Sequence, residues 1–281
     1  MTYKNILQKT FSYSFLILGA ITMVLPFAWM ISTSLKSYSS VFIFNINEIS
    51  WIPNPVYWQN YIDVWKVVPF AKFYFNSLFV CITVTLAQVS TSALAAYAFS
   101  RLRFPGREKL FFSYLATMMI PGSVTMIPVF VLMRIFGWID SYKALIIPAA
   151  FSAYGTFMLR QFFMTIPRDL EDAAKIDGCN YWSIFCKVIL PLSKTALATL
   201  TVFVALGNWV SFMWPLLVTN SLEKRTLPVG LAYFQEMYQY AQPDWGLLMA
   251  GSLVTMIPIV IMFIFGQKFF VEGIKLTGMK A

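Results

Sequence analysis

The chain contains no histidine, and only 12% of its 281 residues are charged, against roughly 25% in an average soluble domain. The missing histidine excludes the commonest general base at neutral pH. The three cysteines, Cys81, Cys179 and Cys186, include no closely spaced pair. Without histidine beside them they exclude a protein-built transition-metal site, and they read as three ordinary free thiols. Cys179 and Cys186 fall in an inner loop, where disulfides are not expected. No Gly-x-x-x-x-Gly-Lys-Ser/Thr phosphate loop occurs, so the chain has no such motif for cleaving a nucleotide itself. Internal repeats and low-complexity tracts are absent as well. Charge this sparse cannot coat a water-facing surface.

What remains is apolar. Hydrophobic residues make up 59% of the chain, and a membrane-crossing helix needs roughly 20 of them in a row. Six windows free of ionisable side chains meet or approach that length: Thr10 to Leu35, Phe73 to Ser100, Leu110 to Met133, Ala144 to Leu159, Thr195 to Leu222 and Trp245 to Gln267. The fourth is short, and Lys143 and Arg160 at its ends lengthen it by snorkelling. The first is too long for a signal peptide and ends with bulky Trp29 and Met30. Runs of this length also exclude a barrel of alternating strands. The expectation is an all-α, polytopic membrane helix bundle with six transmembrane helices, near 11–34, 73–100, 110–133, 143–163, 195–220 and 245–268, forming one transmembrane domain over 1–281.

The net charge of +9 is distributed with a bias. With the N-terminus inside, 14 of the 21 lysines and arginines fall on inner segments, leaving Lys36, Lys66, Lys72, Arg134, Lys143, Lys224 and Arg225 outside. Acidic residues divide evenly. This is the bias that orients membrane chains, and it places both termini in the cytoplasm. The basic excess is accounted for by membrane lipid, with no nucleic acid implied.

Two outer stretches, Lys36 to Lys72 and Glu223 to Asp244, are long and mixed in polarity. The longest inner connection, Arg160 to Lys194, reads as two short helices. Pro167 suits a first helical turn, Leu170, Ala173 and Ala174 share a face by spacing, and Gly178 suits the left-handed position past a helix end. Ile184, Phe185, Val188 and Ile189 form a second pattern, interrupted by Pro191. Pro26, Pro121, Pro128, Pro148, Pro215 and Pro258 fall in or near the spans. Each interior proline removes a backbone hydrogen bond, which is common beside a translocation path but also general in membrane helices.

The stretch Leu170, Glu171, Asp172, Ala173, Ala174, Lys175, Ile176, Asp177, Gly178, followed by Val188, Ile189, Leu190 and Pro191, resembles the EAA loop of ABC-importer permeases. Asp172 and Val188 replace that pattern's Glu and Ile. The run from Ala96 to Gly106 resembles the close of the second span in carbohydrate-type permeases of the maltose-transporter class. Gly207, Asn208 and Trp209 with Phe212 to Leu216, the stretch from Thr226 to Leu231, and the tail from Gly273 to Lys280 are similar to the same class.

The resemblance implies a type I ABC-importer-like permease subunit in the bacterial plasma (inner) membrane, not an enzyme. It implies that 165–191 is the cytoplasmic coupling loop, with Glu171, Asp172, Ala173, Ala174, Asp177 and Gly178 as ATPase-coupling residues. Implied partners are a second homologous permease, two ATP-binding subunits and an external substrate-binding protein. No cofactor is implied on this chain, since ATP and Mg belong to the ATPase. Candidates for the path are Gln88, Ser90, Thr91 and Ser92 in span two, Thr125 in span three, and Asn208, Trp209, Ser211 and Trp214 in span five. Aromatic faces and amide or hydroxyl groups suit sugars, although hydroxyls also join helices and tryptophans anchor at interfaces. A glycerol-phosphate ester importer has the same motifs. A secondary transporter or channel predicts intramembrane charge or a repeat, and an embedded enzyme predicts convergent titratable groups; neither is found in the sequence.

Overall fold

The computed structural model describes residues 3–37, 51–237 and 244–278. Parts of both long outer stretches and the end of the tail, Lys280 included, lie outside the described residues. Every regular element among those described is helical. In chain order they are α1 (Tyr3–Ser34), α2 (Asn60–Val67), α3 (Phe70–Arg101), α4 (Arg107–Ala116), α5 (Gly122–Ile135), α6 (Tyr142–Ile146), α7 (Ala153–Thr165), α8 (Asp169–Ile176), α9 (Tyr181–Leu192), α10 (Lys194–Trp209), α11 (Met213–Val218), α12 (Leu227–Met237) and α13 (Trp245–Gly278).

Windows one, two and six form α1, α3 and α13, each holding a stretch long and apolar enough to cross a membrane. At a rise of 1.5 Å per residue, the 32 residues of α3 reach about 48 Å, well beyond the ~30 Å hydrocarbon layer. The third window is bent by 100° between Arg107–Met119 and Gly122–Ile135. The break falls at Pro121, which has extended ψ and no N–H to continue the ladder. A second bend of 79° separates Tyr181–Leu192 from Lys194–Trp209, two residues after Pro191. Counting each bent pair as one crossing gives five among the described residues.

The fourth window, 143–163, departs from the straight span expected of it. It is split into α6, a 3-10 turn at Pro148–Ala150 and α7. Phe151 and Ser152 between them are extended, and the Ser152 hydroxyl caps α7 by accepting from Gly155 N at 3.0 Å. The fifth window is interrupted too, because α10 stops at Trp209 and α11 resumes at Met213. Conversely, Pro26, Pro128 and Pro258 sit inside continuous helices. Proline alone does not decide where these helices break.

The chain divides into two compact units, Met1–Ala71 with Gly230–Ile257, and Lys72–Val229 with Pro258–Ala281. In the first, Asn60 Nδ2 donates to the carbonyls of Ser34 and Lys36, both at 2.8 Å, closing the end of α1 onto α2. Gly246 makes this approach possible. A Cβ there would stand 2.7 Å from the Lys36 carbonyl and 2.8 Å from Asn60 Nδ2. Along α1 the apolar side chains Phe11, Phe15, Met23 and Val24 are exposed, the composition of a lipid-facing rod.

Among the described residues of the second unit, two apolar clusters stand out. One joins α3, α7, α9 and α10 through Ala93, Ala96, Leu159, Phe163, Ile184, Ile189 and Leu200; the other gathers Val80, Val84, Met133, Leu145 and Val218. Polar clamps fix the connections. Asn76, fully buried, donates through Nδ2 to Glu223 O and Arg225 O at 2.8 Å each and accepts from the Tyr142 hydroxyl at 2.7 Å. Asp140, at a positive φ of 61°, accepts through Oδ1 from Asn220 N, Ser221 N and Ser221 Oγ at 2.9 to 3.0 Å. Burial pushes the Asp140 carboxyl up. The hydrogen bonds from Ser221 and Asn220, with the Lys224 charge, outweigh it and hold the group below the usual carboxylate range.

Replacing Asn76 by Leu orphans two carbonyls and a hydroxyl. The expected loss is about 1–3 kcal/mol for each group left unpaired, read as a lower thermal midpoint in mild detergent. Asp140 has a depressed folded-state pKa, so its charge contributes stability above its unfolded pKa of about 3.9 and that contribution is lost as pH falls through the folded value. The stability gap between the wild type and Asp140→Asn is therefore constant from pH 8 to about 5 and closes below it. A gap that does not change with pH would refute the assignment.

Candidate functional site

The connection from Arg160 to Lys194 folds into the two short helices its sequence predicts. α8 ends in a Schellman arrangement: Cys179 N donates to Ala174 O at 2.9 Å and Gly178 N to Lys175 O at 3.0 Å, with Gly178 at a φ of 81°, a conformation only glycine adopts cheaply. The Asn180 side chain then caps α9 by accepting from Ser183 N at 2.8 Å. Pro167 stands just ahead of the capping residue Arg168 rather than in the first turn. Ile184, Phe185 and Ile189 are buried as their spacing predicts. A π-turn over Phe185–Ile189 precedes Pro191, whose ring nitrogen has no hydrogen to offer the ladder.

Leu170, Ala173 and Ala174, which share a face by spacing, do not share one environment in α8. Leu170 and Ala173 are exposed, while Glu171 and Ala174 turn inward. The cause is a partner 70 positions back. Arg101 Nε lies 3.0 Å from Glu171 Oε1, with side-chain exposures of 4% and 9%. The contact is an ion pair by distance, off the line of a hydrogen bond. The same guanidinium donates through Nη2 to Phe163 O and to Ile166 O, the latter at 2.7 Å. One turn back along α3, the Tyr97 hydroxyl donates to Tyr181 O at 3.2 Å, and its ring packs against Phe185 at 5.1 Å. The C-terminal end of α3 therefore holds the end of α7, the face of α8 and the start of α9. Glu171, expected to face a partner, is engaged within the chain.

Outward, α8 presents Asp172, Ala173, Asp177, Gly178 and Ile176, the last 87% exposed. Lys175 Nζ sits 2.7 Å from Asp172 Oδ1. That hydrogen bond and charge hold the Asp172 carboxyl low and raise the Lys175 amine.

A cavity of about 310 Å³ lies in the second unit, and Thr125, Asn208, Ser211 and Trp214 from the predicted path all line it. Gly122 and Pro148, at the breaks in windows three and four, are part of its wall, and no lining residue is ionisable. Trp214 Nε1 donates to Ala144 O at 2.9 Å, which fixes its indole. Asn208 Nδ2 donates to Val204 O at 2.8 Å.

Gln88, Thr91 and Trp209 do not line this cavity. Thr91 donates to Ala150 O at 2.7 Å and so joins α3 to the fourth window. Trp209 is 2% exposed, edge-on to Tyr74 at 5.7 Å. Of the neighbouring serines, Ser90 is exposed and Ser92 is buried against Gly155. Sequence reasoning missed Ser77 and Thr226 in the wall. Thr226 is 5% exposed and its hydroxyl has no hydrogen-bond partner among the described residues. It lies in the stretch from Thr226 to Leu231, but its position gave no sign that it faces a cavity.

Long helices with polar breaks around an uncharged cavity, and a capped helical loop at one end, define a membrane transport subunit. The chain belongs to the family of binding-protein-dependent transport system inner membrane components, matched over residues 7–275. It is 37% identical to the arabinooligosaccharides transport system permease protein AraQ of Halalkalibacterium halodurans, over 73% of this chain and 72% of that one. It is 32% identical to the sn-glycerol-3-phosphate transport system permease protein UgpE of Yersinia enterocolitica, over 94% and 95%. A chain from the crystal structure of a bacterial ABC transporter involved in the import of the acidic polysaccharide alginate superposes with a TM-score of 0.85, at 25% identity, over 96% of this chain and 99% of that one.

Arg101→Gln leaves the Glu171 carboxylate buried without a countercharge. Breaking a buried pair from one side costs about 3–5 kcal/mol, whereas Asp172→Asn on the exposed face should leave the midpoint close to that of the wild type. Thermal unfolding of both variants in detergent checks the contrast, and equal losses would contradict the burial described.

Proposed function

We propose that this chain is one of two homologous permease subunits of an ATP-driven importer, that it forms half of the translocation path for a carbohydrate (an oligosaccharide, disaccharide or polyol), and that it couples to the ATPase through the 165–191 loop. The observation that carries the reading is the division of α8 into two faces. One is pinned to α3 by Arg101, and the other offers Asp172, Ala173, Ile176 and Asp177 outward. A short helix that must sit in a cleft of another protein and transmit its movement needs both: an exposed, small-residue contact surface and a stiff attachment behind it. Two ATP-binding subunits carrying ATP and Mg dock there, and an external binding protein delivers the solute on the opposite side. The chain crosses the membrane six times with both termini cytoplasmic, the interrupted fourth window supplying one crossing.

Thr125, Asn208, Ser211 and Trp214, with Ser77 and Thr226, face the solute. Hydroxyls, an amide and an indole without any charge suit the hydroxyls and apolar C–H surfaces of a sugar. A wall with no cation offers little to a phosphate ester. That second reading, a glycerol-phosphate ester importer, is favoured by the likeness to UgpE.

The test is affinity purification of the tagged chain in mild detergent, with mass spectrometric identification of partners and an ATPase assay on the eluate. The expected eluate holds a second permease and an ATPase in stoichiometric amounts. Ala173→Trp, which adds bulk only on the exposed face, retains the second permease and sheds the ATPase. A lone homo-oligomer with no ATPase would overturn the proposal in favour of an ATPase-independent transporter or channel.

A further inference from the structure

Where α3 ends, the chain makes a tight reversal. Phe104, Pro105, Gly106 and Arg107 form a turn with Gly106 at φ 79° and ψ 3°, the second central position of a type II turn, which calls for glycine there and favours proline before it. Arg107 N approaches Phe104 O at 3.4 Å across it. The reversal brings Arg103 on one side and Lys109 on the other to a single cavity of about 560 Å³, which Arg107 and Arg168 also line.

The charges in that cavity do not balance. Its single acidic residue is Glu108, which is already shared. Arg107 Nη2 lies 2.7 Å from Glu108 Oε1, and Arg160 Nη2, reaching across from α7, lies 3.2 Å from Oε2. Arg107 also donates through Nη1 to Leu102 O at 3.0 Å. Deeper in, Arg101 is neutralised by Glu171. Arg103, Lys109 and Arg168 are left over. All three are exposed, and none has an ion-pair or side-chain hydrogen-bond partner among the described residues. Three cations without an ion-pair partner among the described residues stand around one concavity, Arg168 being close enough to Asp172 to help hold its carboxyl low, and together they raise the local affinity for an anion.

The surroundings indicate which kind of anion. Lys109 is followed directly by Leu110 and, two residues on, Phe112, which are 56% and 66% exposed and open the third apolar window. A small inorganic anion would use the cations alone. A molecule with a phosphate head and hydrocarbon tails would use the cations and the adjoining apolar surface together. We propose that this cavity is a binding site for the phosphate headgroup of an anionic phospholipid, held by Arg103, Lys109 and Arg168 with its acyl chains along Leu110 and Phe112. Arg107 and Glu108 shape the site without contributing net charge. Because Arg168 immediately precedes the first residue of α8, headgroup occupancy bears directly on the root of the helix proposed above to couple to the ATPase, although the binding itself does not depend on that reading.

Native mass spectrometry of the purified full-length chain in mild detergent, titrated with phosphatidylglycerol or phosphatidylcholine of matched acyl chains, tests the site. The wild type should retain phosphatidylglycerol with about a tenfold preference, and Arg103→Gln combined with Lys109→Gln should abolish that preference. Lys187→Gln combined with Lys194→Gln, on exposed cations away from the cavity, should leave it intact. Thermal midpoints of both double variants should match wild type, since the substituted side chains make no ion pair or side-chain hydrogen bond among the described residues. Equal retention of the two lipids by wild type, or an undiminished preference in the cavity variant, would overturn the proposal. Displacement of bound lipid by millimolar inorganic phosphate would reassign the site to a free anion. A cavity variant that keeps its lipid preference but loses a co-purifying ATPase would instead make the cations part of a protein interface.

Discussion

A guanidinium withdrawn from water costs several kcal/mol unless an opposite charge and hydrogen-bond acceptors compensate it, and Arg101 draws that compensation from separate parts of the chain. Its charge is answered by Glu171 on α8 and its Nη2 by the last carbonyls of α7. Neither segment can shift relative to α3 without exposing part of this arrangement. Arg160 repeats the principle one layer away, donating to Phe99 O at 3.2 Å, pairing with Glu108 and lying over the Phe111 ring at 4.0 Å. The end of the second unit that carries α8 is thus held by two arginines whose side chains reach between helices. Such directional contacts are stiff, which is what a loop needs if force applied at its outer face is to arrive at a membrane helix rather than be absorbed.

This constraint explains what the sequence could disclose. Long apolar windows announce themselves because nothing else in a protein requires some twenty uncharged residues in succession, so α1, α3 and α13 were legible. Gly178 was legible because its conformation is set by three or four neighbours. The inward face of α8 was not, because local spacing favours Leu170 and Ala173, and the pull on Glu171 comes from a residue 70 positions away. The bends were only half legible. Pro121 and Pro191 accompany breaks whereas Pro26, Pro128 and Pro258 sit inside continuous helices, so the presence of proline did not by itself locate the bends.

The cavity follows the same rule. Asn208, Ser211 and Trp214 lie close together in the chain and stay together in the fold, and Thr125 joins them from α5. Gln88 and Thr91 lie along α3 away from this wall, and Thr91 instead bonds the interrupted fourth window to the long helix. Polar residues in an apolar span thus divide between lining and fastening, and only the neighbouring helix decides which. Asn76 shows how far fastening can go, with a single buried amide holding three groups from two distant stretches.

The bare surface of α1 has a consequence for how this chain tolerates change. No residue in its crossing stretch, Lys9–Ser34, counts as covered by the rest of the described protein until its last turn, where Ser32, Thr33 and Ser34 are buried. Up to Trp29, which packs edge-on to Trp51 at 5.2 Å, the body of the helix is therefore defined largely by how greasy and how long it is, with apolar side chains such as Phe11, Phe15, Met23 and Val24 left exposed. Along that stretch leucine, isoleucine, phenylalanine and methionine are near synonyms, and substitutions can accumulate there by drift at a rate that the closing serines, fastened to Trp51 and Tyr61, could not sustain.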